Sequence, residues 1–321
     1  MRDIKTKLVI LLGVVLSIVV LYGFLYLEHE WEIGLLLVAL PVAILVLKRT
    51  NMLSDYQQAA RAMPKLTLSS FIVGVLVLII LLRDEHFALL MLTTVMLYVT
   101  VSLGLTIQFG FAGLVNFAAI AFFGIGAYSM ALLNHHFNAL PDLLIILFSG
   151  LASALLGALL ILPILRTRGH YAALITIAFG ILLRTFLEVN DVFGGPQGLK
   201  VDGLEILGWN FSNSFPSLLG GGSFYMAYAI TALLLAAVAY LFTRLIEASW
   251  FGLNMDSVRL DEVASASFGI NAPRWKITAF MLGNFFAGLA GAIYAAMSGF
   301  IAPASFNFAD SLLLVSIVLL G

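Results

Sequence analysis

Residues 142–165 read DLLIILFSGLASALLGALLILPIL, and the only charged side chain in this run is Asp142, at its first position. An α-helix needs about 20 mainly apolar residues to cross a bilayer, whereas a β-barrel strand needs about 9–11 residues of alternating polarity. This run is long enough for a helix and does not alternate. It therefore predicts a membrane-spanning α-helix.

The rest of the chain has the same character. Of its 321 residues, 62 % are hydrophobic and 10 % are charged, and the mean hydropathy is +1.09. A soluble domain has about 45–50 % apolar and about 25 % charged residues, so a soluble globular enzyme is excluded. We predict an all-α, polytopic bundle of about nine to ten transmembrane helices. The predicted spans are 8–27, 31–47, 67–82, 87–107, 110–133, 142–165, 170–189, 224–246, 276–297 and one that begins at 308.

The positions of lysine and arginine predict the orientation of the bundle, because cytoplasmic loops carry an excess of these residues. With the N-terminus inside, 13 of the 16 basic residues lie on inner segments, and only Arg83, Arg184 and Lys200 lie outside. Of the 17 acidic residues, 11 lie outside. The N-terminus is therefore predicted to be cytoplasmic, with long polar segments at 190–223 outside and at 247–275 inside.

Several kinds of chemistry lack the residues they need. The sequence has no cysteine and no phosphate-binding G-x-x-x-x-G-K-[ST] loop. His135 and His136 share a short outer loop without further ligands, so a solvated pair is preferred over a metal site. The net charge of −1 gives no sign of nucleic-acid binding. We predict no catalytic residue, metal or cofactor in this chain, and the lack of paired carboxylates in the spans argues against proton-coupled transport.

One charged pair falls within the bounds of a predicted span. Arg184 and Glu188 are four residues apart and so share a helix face near its outer end. The preferred interpretation is an interfacial pair that reaches the lipid headgroups. The alternative is a gate, or a contact for a zwitterionic substrate.

Small residues are concentrated in two spans. Close approach of backbones through glycine and alanine is how membrane helices pack, so packing is the preferred role of each glycine. Glycines also flank Gln108 and Asn116, and the alternative there is a broken helix that lines a polar path. The small residues are Gly104, Gly110, Gly113, Gly124 and Gly126 around the fifth span, and Ala287, Gly288, Gly291 and Ala292 in the ninth.

The inner segment 247–275 predicts a short helix between two spans. Asp256 or Ser257 is expected to cap it, and Gly269 suits the left-handed position that ends a helix. Residues 264–267 of this segment, ASAS, have small side chains. A lipid-binding helix instead shows a large apolar face opposite a basic one. The pattern favours docking of this helix into a partner protein.

The same segment resembles a known family. Residues 259–270, RLDEVASASFGI, are similar to the ATPase-coupling segment of branched-chain amino acid ABC importer permeases of the LivM type. Three further blocks also resemble the family and occur in the family's order along the chain. Together the four blocks cover about residues 95–321. They are GFAGLVNF at 110–117 running on to FFGIGAY at 122–128, RGHYAALIT at 168–176 with GGPQGL at 194–199, and GLAGA at 288–292 with GFIAP at 299–303.

The resemblance implies an organisation and a set of partners. Residues 1–85 carry no motif and are expected to form N-terminal transmembrane helices, while 86–321 form the permease transmembrane domain. The chain stops inside an apolar run where the family continues, so we expect it to be truncated at its C-terminal end. Such permeases lie in the bacterial inner membrane and work with a homologous second permease, two ABC ATPases that bind ATP and an external solute-binding protein.

The expected function is that of a permease subunit, not an enzyme, in an ATP-driven importer of branched-chain or related hydrophobic amino acids. A urea or short-amide permease of the same family is the alternative, and an ATP-independent secondary transporter is a more distant one. Three departures from the family pattern, at Ile181, Phe193 and Ser265, leave the solute open.

The resemblance also assigns residues. Asp261 and Glu262 would order the coupling helix, Arg259 would pair with an acidic rim on the ATPase, and Ala264 and Ser265 would enter its groove. The coupling set is Arg259, Asp261, Glu262, Ala264, Ser265 and Gly269; the transport-path set is Gln108, Gly110, Gly113, Asn116, Gly124, Gly126, Tyr128 and Thr176; the outer-loop set is Gly194, Gly195, Pro196 and Gly198.

Overall fold

The computed structural model describes residues 2–27, 29–50, 52–136, 140–166, 171–206, 208–211 and 222–320. Parts of two predicted features lie outside the described residues. They are Arg168-Gly169-His170, at the start of the block at 168–176, and Gly220-Gly221 of the outer segment 190–223. Those described are mainly helical, which confirms the predicted all-α class. The helices are α1 (Arg2–Tyr26), α2 (Glu30–Arg49), α3 (Met52–Ala62), α4 (Pro64–Leu81), α5 (His86–Leu105), α6 (Ala119–His136), α7 (Asp142–Leu165), α8 (Tyr171–Val189), α9 (Tyr225–Glu247), α10 (Trp250–Leu260), α11 (Glu262–Ser267), α12 (Ala272–Ser298) and α13 (Phe308–Leu320).

Eight of the described helices are long and apolar enough to cross a membrane, which makes this a multi-pass membrane protein. Predicted spans 31–47 and 110–133 are not among the eight. The first corresponds to α2, where a shorter apolar helix covers Trp31–Ala43. The second corresponds to α6, whose polar end at Asn134, His135 and His136 lowers its hydropathy.

The chain divides into two compact units, and the predicted boundary at residues 85 and 86 stays a prediction. The first unit comprises the described parts of residues 1–92 and 215–233. In it, α1 packs against α3 and α4. Helix α3 was not predicted; it is amphipathic, with Ala59 buried on one face. His86 Nδ1 and Ser223 Oγ are 2.6 Å apart in the same unit.

The second unit comprises the described parts of residues 93–214 and 234–321. Its centre is α12, which packs chiefly against α6 and α7. A Cβ atom added at Gly126 would collide with the backbone of Gly288, and one at Gly291 with the carbonyl oxygen of Phe123. The glycines thus allow backbone contact between helices, as small residues do in membrane bundles.

Two short antiparallel ladders accompany the helices of the second unit. Strand β1 (Leu199–Lys200) pairs with β4 (Phe300–Ile301), so that Leu199 lies opposite Ile301. Strand β2 (Glu205–Ile206) pairs with β3 (Trp209–Asn210). The first ladder joins the segment after α8 to the segment after α12.

The predicted span 110–133 is wrong in its first part. Residues Thr106–Phe111 form a π-helical turn, residues 112–118 are not helical, and α6 begins only at Ala119. Gly113 has φ = +67°, a value incompatible with a right-handed helix and accessible mainly to glycine. The Asn116 side chain accepts a hydrogen bond from Ala118 N, which holds the chain in a local turn.

Candidate functional site

Three amide side chains meet beside the break in the helix. Gln108 Nε2 donates to Asn284 Oδ1 at 3.0 Å and to the carbonyl oxygen of Phe280 at 3.1 Å. Asn116 Nδ2 donates to Gln108 Oε1 and to Asn284 Oδ1, both at 3.0 Å. Each of the three side chains is about 1 % exposed. We call Gln108, Asn116 and Asn284 the amide cluster.

The amide cluster explains how the irregular backbone is held in an apolar bundle. Backbone groups outside a helix are tolerated at membrane depth only where protein satisfies them. Leu114 N donates to the carbonyl oxygen of Gln108 at 2.9 Å, and Phe117 N donates to Thr176 Oγ1 at 3.2 Å. Within the described residues, Asn284 Nδ2 has no hydrogen-bond partner. It lies against Gly157, where a Cβ would collide with it.

We expect Asn284→Leu to lower the free energy of unfolding by about 2 kcal/mol. Leucine has a similar size but accepts neither bond, and each lost bond is worth about 1 kcal/mol, with the lower values found in membrane proteins. Thermal unfolding of the purified protein in detergent measures the change. Ser153→Ala, which removes one bond to the carbonyl oxygen of Phe122, is the control and should cost about half as much. Unchanged stability of the leucine variant would mean that the amide cluster does not hold the break.

The predicted coupling segment consists of α10, α11 and the turn after α11. The predicted cap at Asp256 or Ser257 is wrong, because α10 already covers both residues. Asp261 caps α11 instead: its Oδ1 accepts from Val263 N at 2.8 Å and from Ala264 N at 3.0 Å. Gly269 ends the motif with φ = +81°, the left-handed conformation that we predicted.

The faces of α11 differ from the expected ones. Ser265 is only 4 % exposed and faces the protein, so it does not share an accessible face with Ala264. Val263 is 79 % exposed and Phe268 is 87 % exposed. The accessible surface of α11 therefore includes an apolar part, made by Val263 and the small Ala264, with Phe268 directly after the helix.

One ion pair joins this segment to α12. Glu262 pairs with Lys276 of α12, whereas Arg259 Nη2 and Asp256 Oδ1, which are 2.6 Å apart, pair within α10. The stem of Arg259 also packs on Gly113, where an added Cβ would lie 3.1 Å from its Cγ atom. The predicted coupling segment thus contacts residues 112–118, which are not helical and lead into α6. We call these residues the irregular segment.

The predicted outer loop folds against the chain after α12. Asn190 caps a short 3₁₀ turn, and Gly194, Gly195 and Gly198 all have positive φ. An added Cβ at Gly198 would collide with the carbonyl oxygen of Ile301. Phe193 packs edge-on against Tyr128, with ring centroids 6.0 Å apart. Pro196 lies in a second 3₁₀ turn, Gly195–Gln197.

The residues predicted to line a transport path lie mostly in packed interiors. Gly124 packs on the Phe306 ring, and Gly126 packs on the Gly288 backbone. Tyr128 and Thr176 are buried, while Gly110 is partly exposed next to Thr106. The structure joins Gln108 and Asn116 to Asn284, which we did not single out. The signal for it was a lone asparagine in the middle of a span rich in glycine and alanine.

A cavity of about 250 Å³ lies elsewhere in the second unit, between α6, α8 and the start of α13. Arg184 and Glu188 line it, with Arg184 Nε 2.9 Å from Glu188 Oε1. The predicted transport-path residues are absent from the described lining of this cavity. Among the described residues, no group of three or more His, Asp or Glu side chains is arranged to bind a metal.

Comparisons with known proteins agree with these features. A family model described as the permease component of the branched-chain amino acid transport system matches residues 87–321. Two proteins described as high-affinity branched-chain amino acid transport system permease protein LivM are similar over 249 residues: that of Salmonella typhimurium at 37 % identity and that of Escherichia coli at 35 %.

Each of these alignments covers 71 % of this chain and 57 % of the relative, so the chain spans little more than half the length of these relatives. No solved structure matches. The family match covers most of the chain and includes the amide cluster, α11 and the outer loop. The chain belongs to the family of branched-chain amino acid transport system permease components.

Proposed function

We propose that the chain is a transmembrane permease subunit of an ATP-driven importer for branched-chain amino acids. In this proposal it works in a bacterial inner membrane with a second permease, two ABC ATPases that bind the ATP and an external solute-binding protein. The two similar LivM proteins are described as branched-chain amino acid permeases, which supports the solute class.

The observation that carries the proposal is the accessible apolar face of α11. Val263 and, directly after the helix, Phe268 are almost fully exposed, and the helix is capped at Asp261 and tied to α12 through Lys276. An exposed apolar patch rimmed by charge is typical of a protein-binding surface. The distribution of lysine and arginine predicts that this surface lies inside the cell, where an ATPase would be found.

A route for coupling follows from the contacts of this segment. A partner that moved α10 and α11 would act on Arg259, which packs on Gly113 in the irregular segment. That segment leads through Asn116 into the amide cluster and α6. In this proposal the motion of the ATPases reaches the membrane bundle along these contacts.

We expect leucine uptake into proteoliposomes to require the chain, its partner permease, both ATPases, ATP inside and the loaded binding protein outside. Omission of ATP should remove uptake, because in this proposal the two partner ATPases bind the ATP that drives transport. Urea, offered with its own binding protein, is the comparison solute. Uptake of leucine by the chain alone without ATP would contradict the proposal in favour of a secondary transporter.

A further inference from the structure

The cavity between α6, α8 and α13 combines two kinds of wall. One wall carries the Arg184–Glu188 pair of α8. The other walls carry the apolar side chains of Ile120 of α6 and of Phe306 and Phe308 near the start of α13, together with the polar Thr185, Asn307 and Ser311. Small-molecule sites combine apolar side chains with a few placed polar groups in this way.

The charged wall is matched to both ends of an α-amino acid. The pair uses only Arg184 Nε and Glu188 Oε1 among the described contacts, which leaves Nη1, Nη2 and Oε2 for a ligand. A guanidinium binds a carboxylate through two parallel N–H donors, and a carboxylate accepts from an ammonium group. A zwitterion can therefore bind without breaking the pair.

The size of the cavity limits the ligand. An apolar cavity of about 150 Å³ holds benzene, and drug-sized ligands occupy about 300–1,000 Å³. The cavity of about 250 Å³ lies between these values and accommodates a small amino acid. The apolar walls favour an aliphatic side chain over a polar one, because a polar group would lose its hydrogen bonds to water there.

The position of the pair argues against a purely interfacial role. Helix α8 ends at Val189, and Arg184 lies five residues earlier, about 7 Å below the end of the helix. Ionisable groups inside a membrane span are costly, and they usually face a cavity and mark a substrate path. The side chains of Arg184 and Glu188 are 42 % and 37 % exposed and both line this cavity.

We propose that this cavity is a solute subsite for an α-amino acid with an aliphatic side chain. Arg184 binds the carboxylate through its Nη groups, Glu188 accepts from the ammonium group through Oε2, and Ile120, Phe306 and Phe308 surround the side chain. The inference rests on the proposed import function, and it assigns the contact between permease and solute to this chain.

Cysteine protection tests the subsite without transport. The sequence contains no cysteine, so a single cysteine can be introduced without removing others. Thr185→Cys places a thiol in the cavity lining, and Val189→Cys places one at the end of α8 outside that lining, where Val189 is 78 % exposed. A small methanethiosulfonate reagent is applied to the assembled complex, and labelling is read on the band of this chain.

Leucine at about 10 times its Kd should slow labelling of Thr185→Cys about tenfold and leave labelling of Val189→Cys unchanged. Leucinamide lacks the carboxylate and 4-methylpentanoate lacks the ammonium group, so each loses one charge-assisted contact. Each should therefore need a concentration about tenfold to a hundredfold higher than leucine to give the same protection. Adding Arg184→Gln should abolish protection by leucine. The proposal is overturned if leucine gives no protection, or if either analogue protects as well as leucine does.

Exchange of the two charges separates binding from support of the helix. The double variant Arg184→Glu with Glu188→Arg keeps an ion pair on the same face but reverses its direction relative to the apolar walls. We expect the complex to co-purify normally and the leucine concentration that half-protects Thr185→Cys to rise about tenfold or more, whereas a merely structural pair would leave that concentration unchanged. If the unaltered complex shows no ATP-dependent uptake, the proposed function fails; if it imports leucine while leucine gives no protection, only the subsite fails.

Discussion

Gly126→Val should remove most of the correctly folded protein from the membrane. A Cβ at residue 126 would overlap the carbonyl oxygen and the Cα atom of Gly288, and these are backbone atoms that no rotamer change can move aside. Overpacking of a core costs about 1–3 kcal/mol, and a backbone obstacle between two long helices belongs at the upper end, about 3 kcal/mol. The contact also joins α6 to α12, the central helix of the second unit, so the loss spreads beyond one side chain.

The measurement is the monodisperse fraction on size-exclusion chromatography in detergent, followed by thermal unfolding. Gly34→Val is the matched control, because no atom of the described residues lies within 4 Å of a Cβ added there. Valine at residue 34 should leave yield and unfolding temperature unchanged. A Gly126→Val protein as stable as the parent would show that α6 and α12 do not pack as closely as the structure has them.

Ala264→Arg should abolish transport-coupled ATP hydrolysis and lower ATP-dependent uptake about 100-fold or more. If the accessible face of α11 enters a groove on an ATPase, arginine there brings a long side chain and an unpaired charge into the interface. An uncompensated buried charge costs about 3–5 kcal/mol, which corresponds to more than a hundredfold in binding. Because Ala264 is exposed on this chain, the substitution leaves its own fold intact.

Two control variants accompany this experiment. Ala264→Ser keeps a small side chain and should transport normally. Gln57→Arg adds the same charge at an exposed position of α3, on the side predicted to be cytoplasmic, and should also transport normally. Co-purification of the partner permease reports membrane assembly. Normal uptake by the Ala264→Arg complex would mean that the docking face lies elsewhere.

The sequence predicted most of the helices because lipid imposes a simple rule. Backbone groups in the bilayer need partners within the protein, and a helix supplies them locally, so most long apolar runs become helices. Residues 142–165 needed no tertiary information, and α7 begins and ends at those residues. The helix α3 was missed because it is short and polar, and the membrane rule does not apply to it.

Parts of the candidate site were also readable from local pattern. Gly269 has the left-handed conformation expected after a helix, because only glycine adopts it at little cost. The cap was assigned to Asp256 or Ser257 because several residues of this segment can cap a helix. The choice of Asp261 depends on the continuation of α10 to Leu260, which packing determines.

By itself the sequence determined the membrane class and the positions of most of the long apolar helices, because these depend on how each residue partitions between lipid and water. The tertiary structure alone decided which polar groups meet. Asn284 lies 176 residues from Gln108 along the chain, and no local pattern connects them. For Arg184 and Glu188 the sequence favoured an interfacial pair, and only the tertiary structure places them in the lining of a cavity beside α6 and the start of α13. Long-range contacts fix such sites, since a buried polar group becomes stable only when distant segments bring it a partner.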